Sequence, residues 1–154
     1  MIKTVISQWG WTGYVAIKLD LEKSNDWLEW SFIQETLEFF HMPPTLITLI
    51  MNMSSSTQFH ILWNGSPLPK VVLSWGIRQG DPLSSYLFIL CLERLSIKLD
   101  EAVRDKLIHR INFRARVRLS HLFFVNDILL FTRAAIRDCK NLGRLLLNFC
   151  ESSS

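Results

Sequence analysis

The amino-terminal part of the chain alternates apolar and polar residues with the two-residue period of a β-strand. In residues 14–21, Ile17 and Leu19 point one way, whereas Lys18 and Asp20 point the other way. The pattern therefore predicts a strand that ends in a carboxylate and carries a lysine on the same face.

Helical spacing replaces this alternation after residue 30. A helix is expected to run to about residue 41, because the apolar positions recur every three or four residues and Pro43-Pro44 then ends it. A second helix is expected from Pro44 to about residue 52, with its apolar residues on one side.

The middle of the chain carries a hairpin signal and a helix-start signal. Asn64-Gly65 predicts a tight turn, and the return strand is expected over residues 70–74. Asp81-Pro82 begins a helix well, with a polar cap followed by proline in the first turn. Since this helix is apolar all round as far as Leu92, we expect that part of it to be buried.

The last third of the chain returns to strand patterns. Residues 113–119 alternate strictly, which predicts one strand with a basic face made of Arg114, Arg116 and Arg118. A hairpin over residues 121–131, with its turn at 125–127, and a helix over 136–149 complete the chain.

The predicted order is one strand, two helices, two strands, one helix, three strands and a final helix. This order favours the α+β class, with an antiparallel sheet and helices packed on one of its faces. Residues 1–150 are expected to form one domain, and the polar residues 151–154 a disordered tail.

Composition limits the class of protein. With 49% hydrophobic residues in 154, the chain is globular rather than disordered, and 17 Lys+Arg against 14 Asp+Glu give a net charge of only +3. No run approaches the roughly 20 apolar residues of a membrane-spanning helix, so no membrane partner is expected. Three cysteines without a CxxC spacing indicate reduced thiols, which predicts an intracellular protein, cytoplasmic or nuclear, rather than a secreted one.

Two acidic positions carry candidate chemistry. Asp20 leaves a buried strand, where a carboxylate is held rigidly enough to bind a divalent cation, and Asn126-Asp127 forms the tip of an apolar hairpin. Each has a plain structural interpretation as a turn residue. If the two lay together, oxygen ligands would converge as a two-metal phosphoryl-transfer site requires.

The glycine-rich loop at residues 76–82 is the third candidate. Arg78 offers a charge for phosphate, Gln79 offers a planar amide for a base or sugar, and Gly80 lets the backbone approach a ligand. The following helix start adds partial positive charge. Because no GK[ST] follows, the loop is not a P-loop.

The three candidate sites lie within or next to longer sequence motifs. The chain reads A-I-K-L-D-L-E-K at 16–23, L-E-W at 28–30, W-N-G-S-P at 63–67, G-I-R-Q-G-D-P-L-S at 76–84 and L-S-H-L-F-F at 119–124. In order and spacing these motifs resemble the reverse transcriptase domain of plant non-LTR (LINE-type) retrotransposons. The resemblance covers nearly the whole chain from about residue 13.

The resemblance implies the palm of an RNA-directed DNA polymerase. Such an enzyme copies an RNA template onto a DNA primer, using deoxynucleoside triphosphates and two Mg²⁺ ions. Asp20 would be the first metal-binding aspartate, and Asp127 would lie in the hairpin that usually reads F-A-D-D. Gln79 and Gly80, with Arg78, would line the incoming nucleotide.

Several residues depart from the family pattern. Asn126 replaces the aspartate of the hairpin that normally binds metal, so Mg²⁺ binding and catalysis are expected to be weakened. Asn25 stands where relatives carry an aromatic residue under the nucleotide sugar. Fingers and thumb segments, which a full-length relative has, are expected to be missing.

Two alternatives to an active polymerase therefore stay open. One is a non-catalytic RNA- or DNA-binding fragment, for which the face of Arg114, Arg116 and Arg118 is the motivating feature. The other is a retrotransposon remnant without a selected function. Steep salt dependence of RNA binding would favour the first alternative.

Overall fold

The structure is a computed structural model, and it describes most of the chain. Its described residues are 5–9, 13–20, 28–56, 58–59, 62–67, 69, 71–72, 75–77, 80–113, 117–124 and 127–153.

Helices and antiparallel strands make up these residues, which confirms the predicted α+β class. The helices are α1 (Trp30–Phe39), α2 (Pro44–Ser55), α3 (Pro82–Arg104) and α4 (Ile136–Ser153). The strands are β1 (Val5–Trp9), β2 (Tyr14–Asp20), β3 (Gln58–Phe59), β4 (Leu62–Trp63), β5 (Ser66–Pro67), β6 (Val71–Val72), β7 (Ile111–Phe113), β8 (Val117–Leu119), β9 (His121–Phe124) and β10 (Asp127–Arg133). None of the helices in the described part of the chain is long and apolar enough to cross a lipid bilayer.

The chain divides into two compact units, of which the first comprises Met1–Ser24 and Leu92–Ser152. It contains a four-stranded sheet in the order β1-β2-β10-β9, with every neighbouring pair antiparallel. The predicted strand at 14–21 and the predicted hairpin at 121–131 are β2, β9 and β10. They form the centre and one edge of this sheet. β1, which pairs with β2, was not predicted.

One face of this sheet is buried, and two helices contact it. Leu130 of β10 is fully buried, and its partner across the β9–β10 ladder is His121. A serine hydroxyl on α3, Ser96 Oγ, lies 2.9 Å from His121 Nε2, while Thr132 of β10 donates a hydrogen bond to Asp138 of α4. Since His121, Leu130 and Thr132 share one face, α3 and α4 lie on the same side, as expected for a layered α+β unit.

The second unit, Asn25–Cys91 with the last two residues, contains α1, α2, the first half of α3 and two short hairpins. Its core is built on α1, where Phe32, Ile33 and Leu37 are each at most 1% exposed. Asn64 and Gly65 both adopt positive φ, 49° and 79°, as the tightest hairpin turns require.

Four details differ from the sequence expectations. The Asn64-Gly65 turn returns through β5 rather than through residues 70–74, and β6 pairs with β3 instead. The prediction of a single strand over 113–119 is wrong, because β7 ends at Phe113, β8 begins at Val117, and the two strands pair with each other antiparallel. The apolar start of α3 is not buried all round, since Tyr86 and Ile89 are 68% and 59% exposed. Helix α4 continues to Ser153, through residues that were expected to form a disordered tail.

Candidate active site at the end of the central strands

The two predicted carboxylates meet at one end of the β2–β10 pair. In the antiparallel register, Asp20 at the last position of β2 lies directly opposite Asp127 at the first position of β10. Directly opposed residues of such a ladder project to the same face, with Cα atoms about 4.5–5.5 Å apart. The sheet thus brings together two acidic side chains that are far apart along the chain.

Alternation places this acidic pair on the more open face of the sheet. Leu19 and Ile128, the next residues inward, are 4% and 1% exposed and point into the core. Asp20 and Asp127 therefore point away from the core, and both are only partly exposed. Phe124 of β9 lies opposite Asp127 in the neighbouring ladder and is 76% exposed. A solvent-exposed aromatic ring therefore borders the acidic pair.

Lys18 joins the acidic pair through an ion pair, a role that no motif in the sequence assigns to it. Its ammonium Nζ lies 2.8 Å from Asp127 Oδ2, the distance of a charge-assisted hydrogen bond. This hydrogen bond is the largest cause that raises the pKa of Lys18; partial desolvation opposes it, and the charges of Asp127 and Asp20 add to it. The alternation of residues 14–21 already placed Lys18 beside Asp20, but only the strand register shows which carboxylate it contacts.

Asp20 and Asp127 suit a divalent cation that keeps some of its water ligands better than a cation enclosed by protein ligands. Among the described residues, no group of three or more His, Cys, Asp or Glu side chains lies close enough to hold a metal ion. Mg²⁺, however, commonly keeps several water ligands and binds through one or two carboxylates together with substrate phosphates. Two opposed carboxylates on an open face match that mode, and the Lys18 ammonium shows that a cation is accommodated at Asp127.

The glycine-rich loop is anchored within the second unit. The backbone N–H of Gly76 donates to Leu28 O at 2.9 Å, and the indole Nε1–H of Trp30 donates to Gly76 O at 2.8 Å. Trp30 thus fixes the start of the loop through a side-chain hydrogen bond. At the other end of the loop, Asp81 Oδ1 accepts a hydrogen bond from Leu83 N at 2.9 Å, so the predicted helix cap is present.

Gly80 is the only predicted nucleotide-binding residue for which the structure gives a conformation. Its φ of 87° lies in the left-handed region that favours glycine, and its surroundings are open. Arg78, Gln79 and Asn25 lie outside the described residues, as does Asn126 of the acidic hairpin. Their roles remain predictions.

Only part of the stretch that carries the predicted basic face lies among the described residues. Arg118 lies on β8, exposed and opposite Asn112 of β7, whereas Arg114 and Arg116 lie outside the described residues. Phe113 at the end of β7 pairs with Val117 at the start of β8, so these two residues lie opposite each other on paired strands and not along one strand. Nucleic-acid contact by these residues stays a prediction.

Comparison with known proteins identifies the family. The model of the family described as reverse transcriptase (RNA-dependent DNA polymerase) matches residues 9–154, nearly the whole chain. This chain belongs to the reverse transcriptase family. The match includes Asp20 and Asp127, the two carboxylates that the sheet places opposite each other.

Three relatives are similar to this chain in sequence. The chain is 43% identical over 72 residues to an uncharacterised mitochondrial protein of Arabidopsis thaliana, a match that covers 45% of this chain and 59% of that protein. It is 25% identical over 117 residues to a retrovirus-related Pol polyprotein from a type-1 retrotransposable element R2 of Popillia japonica. That match covers 76% of this chain and 18% of the polyprotein.

The third relative is a Pol polyprotein from a type-2 retrotransposable element of Drosophila melanogaster, with 29% identity over 118 residues. The match covers 77% of this chain and 10% of that polyprotein. The chain therefore matches less than two thirds of each relative's length, and only a small part of the two polyproteins.

Proposed function

We propose that this chain is the palm segment of an RNA-directed DNA polymerase that adds deoxynucleotides to a DNA primer on an RNA template. The observation that carries the proposal is the register that sets Asp20 opposite Asp127 at one end of the sheet. Membership of the reverse transcriptase family supports the choice of reaction, and the open face beside the carboxylates leaves room for substrate.

Asp20 and Asp127 would hold Mg²⁺, with Asn126 offering only a neutral carbonyl oxygen. Bound Mg²⁺ would supply neutralisation of the triphosphate charge and activation of the primer hydroxyl. The two strands hold the carboxylates at fixed positions, so little reorganisation is needed when substrate binds. Because one anionic ligand is replaced by an amide, we propose that metal binding and nucleotide addition are weak in this chain.

The remaining family positions would bind the nucleotide and the template. Arg78 would contact phosphate, Gln79 and Gly80 would line the incoming base and sugar, and Asn25 would lie under the sugar ring. Arg114, Arg116 and Arg118 would contact the template or the primer. Segments of the longer polyproteins that lie outside the match would hold most of these two strands.

Primer extension tests the proposal. The full chain, with a DNA primer on an RNA template and Mg²⁺ or Mn²⁺, is expected to add nucleotides slowly, and Asp20→Asn should abolish the addition. Asn126→Asp should raise the rate by about tenfold or more, because a unit of negative charge returns to the metal site. Incorporation that is indifferent to Asp20→Asn would refute the proposal.

A binding measurement separates a failure of catalysis from a failure of substrate binding. Fluorescence anisotropy of labelled single-stranded RNA, titrated with the full chain at several salt concentrations, reports binding alone. Binding that weakens steeply with salt, without any nucleotide addition in the Asn126→Asp variant, would favour the non-catalytic alternative.

A further inference from the structure

The contact between Lys18 and Asp127 is a cross-strand diagonal contact. Lys18 lies opposite Leu129 in the β2–β10 register, and Asp127 is two positions before Leu129 on the same face. Diagonal neighbours in an antiparallel ladder have Cβ atoms about 7–8 Å apart or slightly less, which a lysine side chain can span. The strand pairing therefore fixes the bases of both side chains, and the ammonium reaches the carboxylate along the strand.

The cluster thus contains its own cation. The Lys18 ammonium lies 2.8 Å from Asp127 Oδ2, and Asp20 is the residue directly opposite Asp127. Two carboxylates with one ammonium carry a net charge of −1 rather than −2. An Asp127 oxygen that accepts a hydrogen bond from an ammonium has less capacity to bind a metal ion.

We propose, building on the proposed polymerase function, that Lys18 is a tethered competitor of the divalent cation for Asp127. In the absence of metal, the ammonium holds Asp127 in place and offsets the repulsion between the two carboxylates. A metal ion binds both carboxylates only after Lys18 has released Asp127, and Lys18 therefore sets the metal affinity of the pair from within the chain.

The solvent exposure of Lys18 and Asp127 supports this competition, as does the short distance between their charged atoms. The side chains of Lys18 and Asp127 are 46% and 38% exposed, so the ammonium can leave Asp127 and be solvated without entering the core. A fully buried pair could not exchange partners in this way, because an unpaired buried charge is strongly disfavoured.

Mn²⁺ binding to the full chain tests this, with electron paramagnetic resonance used to measure the free ion. Lys18→Met removes the ammonium and keeps most of the apolar stem. We expect it to tighten Mn²⁺ binding by about fivefold or more, because fivefold is the effect of one unit charge on another at about 4 Å in a water-like dielectric and Mn²⁺ carries two charges. Lys18→Arg keeps the charge and the ability to pair with a carboxylate, so it should leave the affinity close to that of the wild type.

Lys140→Met is the matched control for net charge. Lys140 is exposed on α4 and shares an apolar surface depression with Val15, which is five residues before Asp20 on β2. Five residues of strand correspond to about 16 Å, beyond a Debye length in physiological salt. This variant should change Mn²⁺ affinity far less than Lys18→Met. Lys18→Gln provides a second charge-removing variant if Lys18→Met does not fold.

A double variant tests the route of the effect. In an Asp127→Asn background, Lys18→Met should tighten Mn²⁺ binding less than it does in the wild type, because the carboxylate for which the two cations compete has been removed.

The outcomes distinguish the inference from the proposed function. Equal or weaker Mn²⁺ affinity in Lys18→Met, with binding still lost in Asp20→Asn, would overturn the role of Lys18 and keep the metal site. No Mn²⁺ binding in any variant, including Lys18→Met, would overturn both. Tighter binding in Lys18→Met that is lost when Asp20→Asn is added would support both.

Discussion

A buried carboxylate on α4 gives the sharpest test of what stabilises the first unit. Asp138 is 3% exposed, lies in the first turn of α4, and accepts a hydrogen bond from His109 Nδ1 at 2.8 Å. Thr132 Oγ1 of β10 also donates to Asp138 Oδ2, at 3.5 Å. One side chain therefore links the start of a helix, a central strand and the segment that leads into β7. We expect Asp138→Ala to destabilise the unit more than any surface substitution.

The expected loss of stability in Asp138→Ala follows from the contacts that Asp138 makes. A hydrogen bond to a charged group contributes about 1.5–3 kcal/mol, and a negative charge in the first turn of a helix adds about 0.3–1 kcal/mol. The Thr132 contact adds little, because 3.5 Å is at the limit for a hydrogen bond. Asp138→Ala should therefore lower the free energy of unfolding by about 2–4 kcal/mol.

Urea-induced unfolding followed by circular dichroism at pH 7 measures this loss. Asp100→Ala is the matched control, because Asp100 pairs with Arg110 at the same 2.8 Å but with both side chains at least 40% exposed. Exposed pairs contribute about 0–1 kcal/mol, so the control should change the unfolding midpoint little. The comparison separates the effect of burial from that of distance.

A double-mutant cycle of His109→Ala and Asp138→Ala isolates the hydrogen bond. We expect a coupling free energy of about 1 kcal/mol or more, below the value for a fully buried pair, because the His109 side chain is 39% exposed. A coupling within about 0.3 kcal/mol, or an Asp138→Ala loss no larger than that of Asp100→Ala, would refute the reasoning.

Three further predictions use the same urea assay. Gly13→Ala should lower the free energy of unfolding by about 1–2 kcal/mol, since φ is 57° and the new Cβ would lie 3.1 Å from Ala134 Cβ; unchanged stability would contradict this. Burial lowers the pKa of His121, so below about pH 6.5 the unfolded chain binds more protons than the folded chain, and the free energy of unfolding decreases as the pH is lowered. His121→Gln should make that decrease smaller. Trp30→Phe removes the donor to Gly76 O and should lower the free energy of unfolding by about 0.5–1.5 kcal/mol, whereas no loss would show that the bond is not stabilising.

Local patterns in the sequence were sufficient for most of the fold. The period of two at residues 14–21 predicted β2, the proline and capping signals located the starts of α2 and α3, and Asn64-Gly65 located a turn. These features depend on neighbours within a few positions, where backbone sterics and hydrogen bonding dominate. Alternation failed at residues 113–119, because a short hairpin and one longer strand give similar patterns.

The candidate site, like the fold, was predicted from the sequence only in part. The sequence alone identified Asp20 and Asp127 as carboxylates at the ends of apolar strands, and it placed Lys18 on the face of Asp20. It also contained the motifs of the reverse transcriptase family, since a motif is a local property of the chain.

Only the tertiary structure decided which side chains meet. The alternation of a strand specifies a face but not a neighbour, because partner and register are chosen by packing between segments far apart in sequence. The β2–β10 register put Asp127 opposite Asp20 and within reach of the Lys18 ammonium, whereas a shift of β10 by one residue would turn Leu130, which is fully buried, to the other face of the sheet. Two carboxylates in the sequence thereby became an acidic pair with a lysine bound to it.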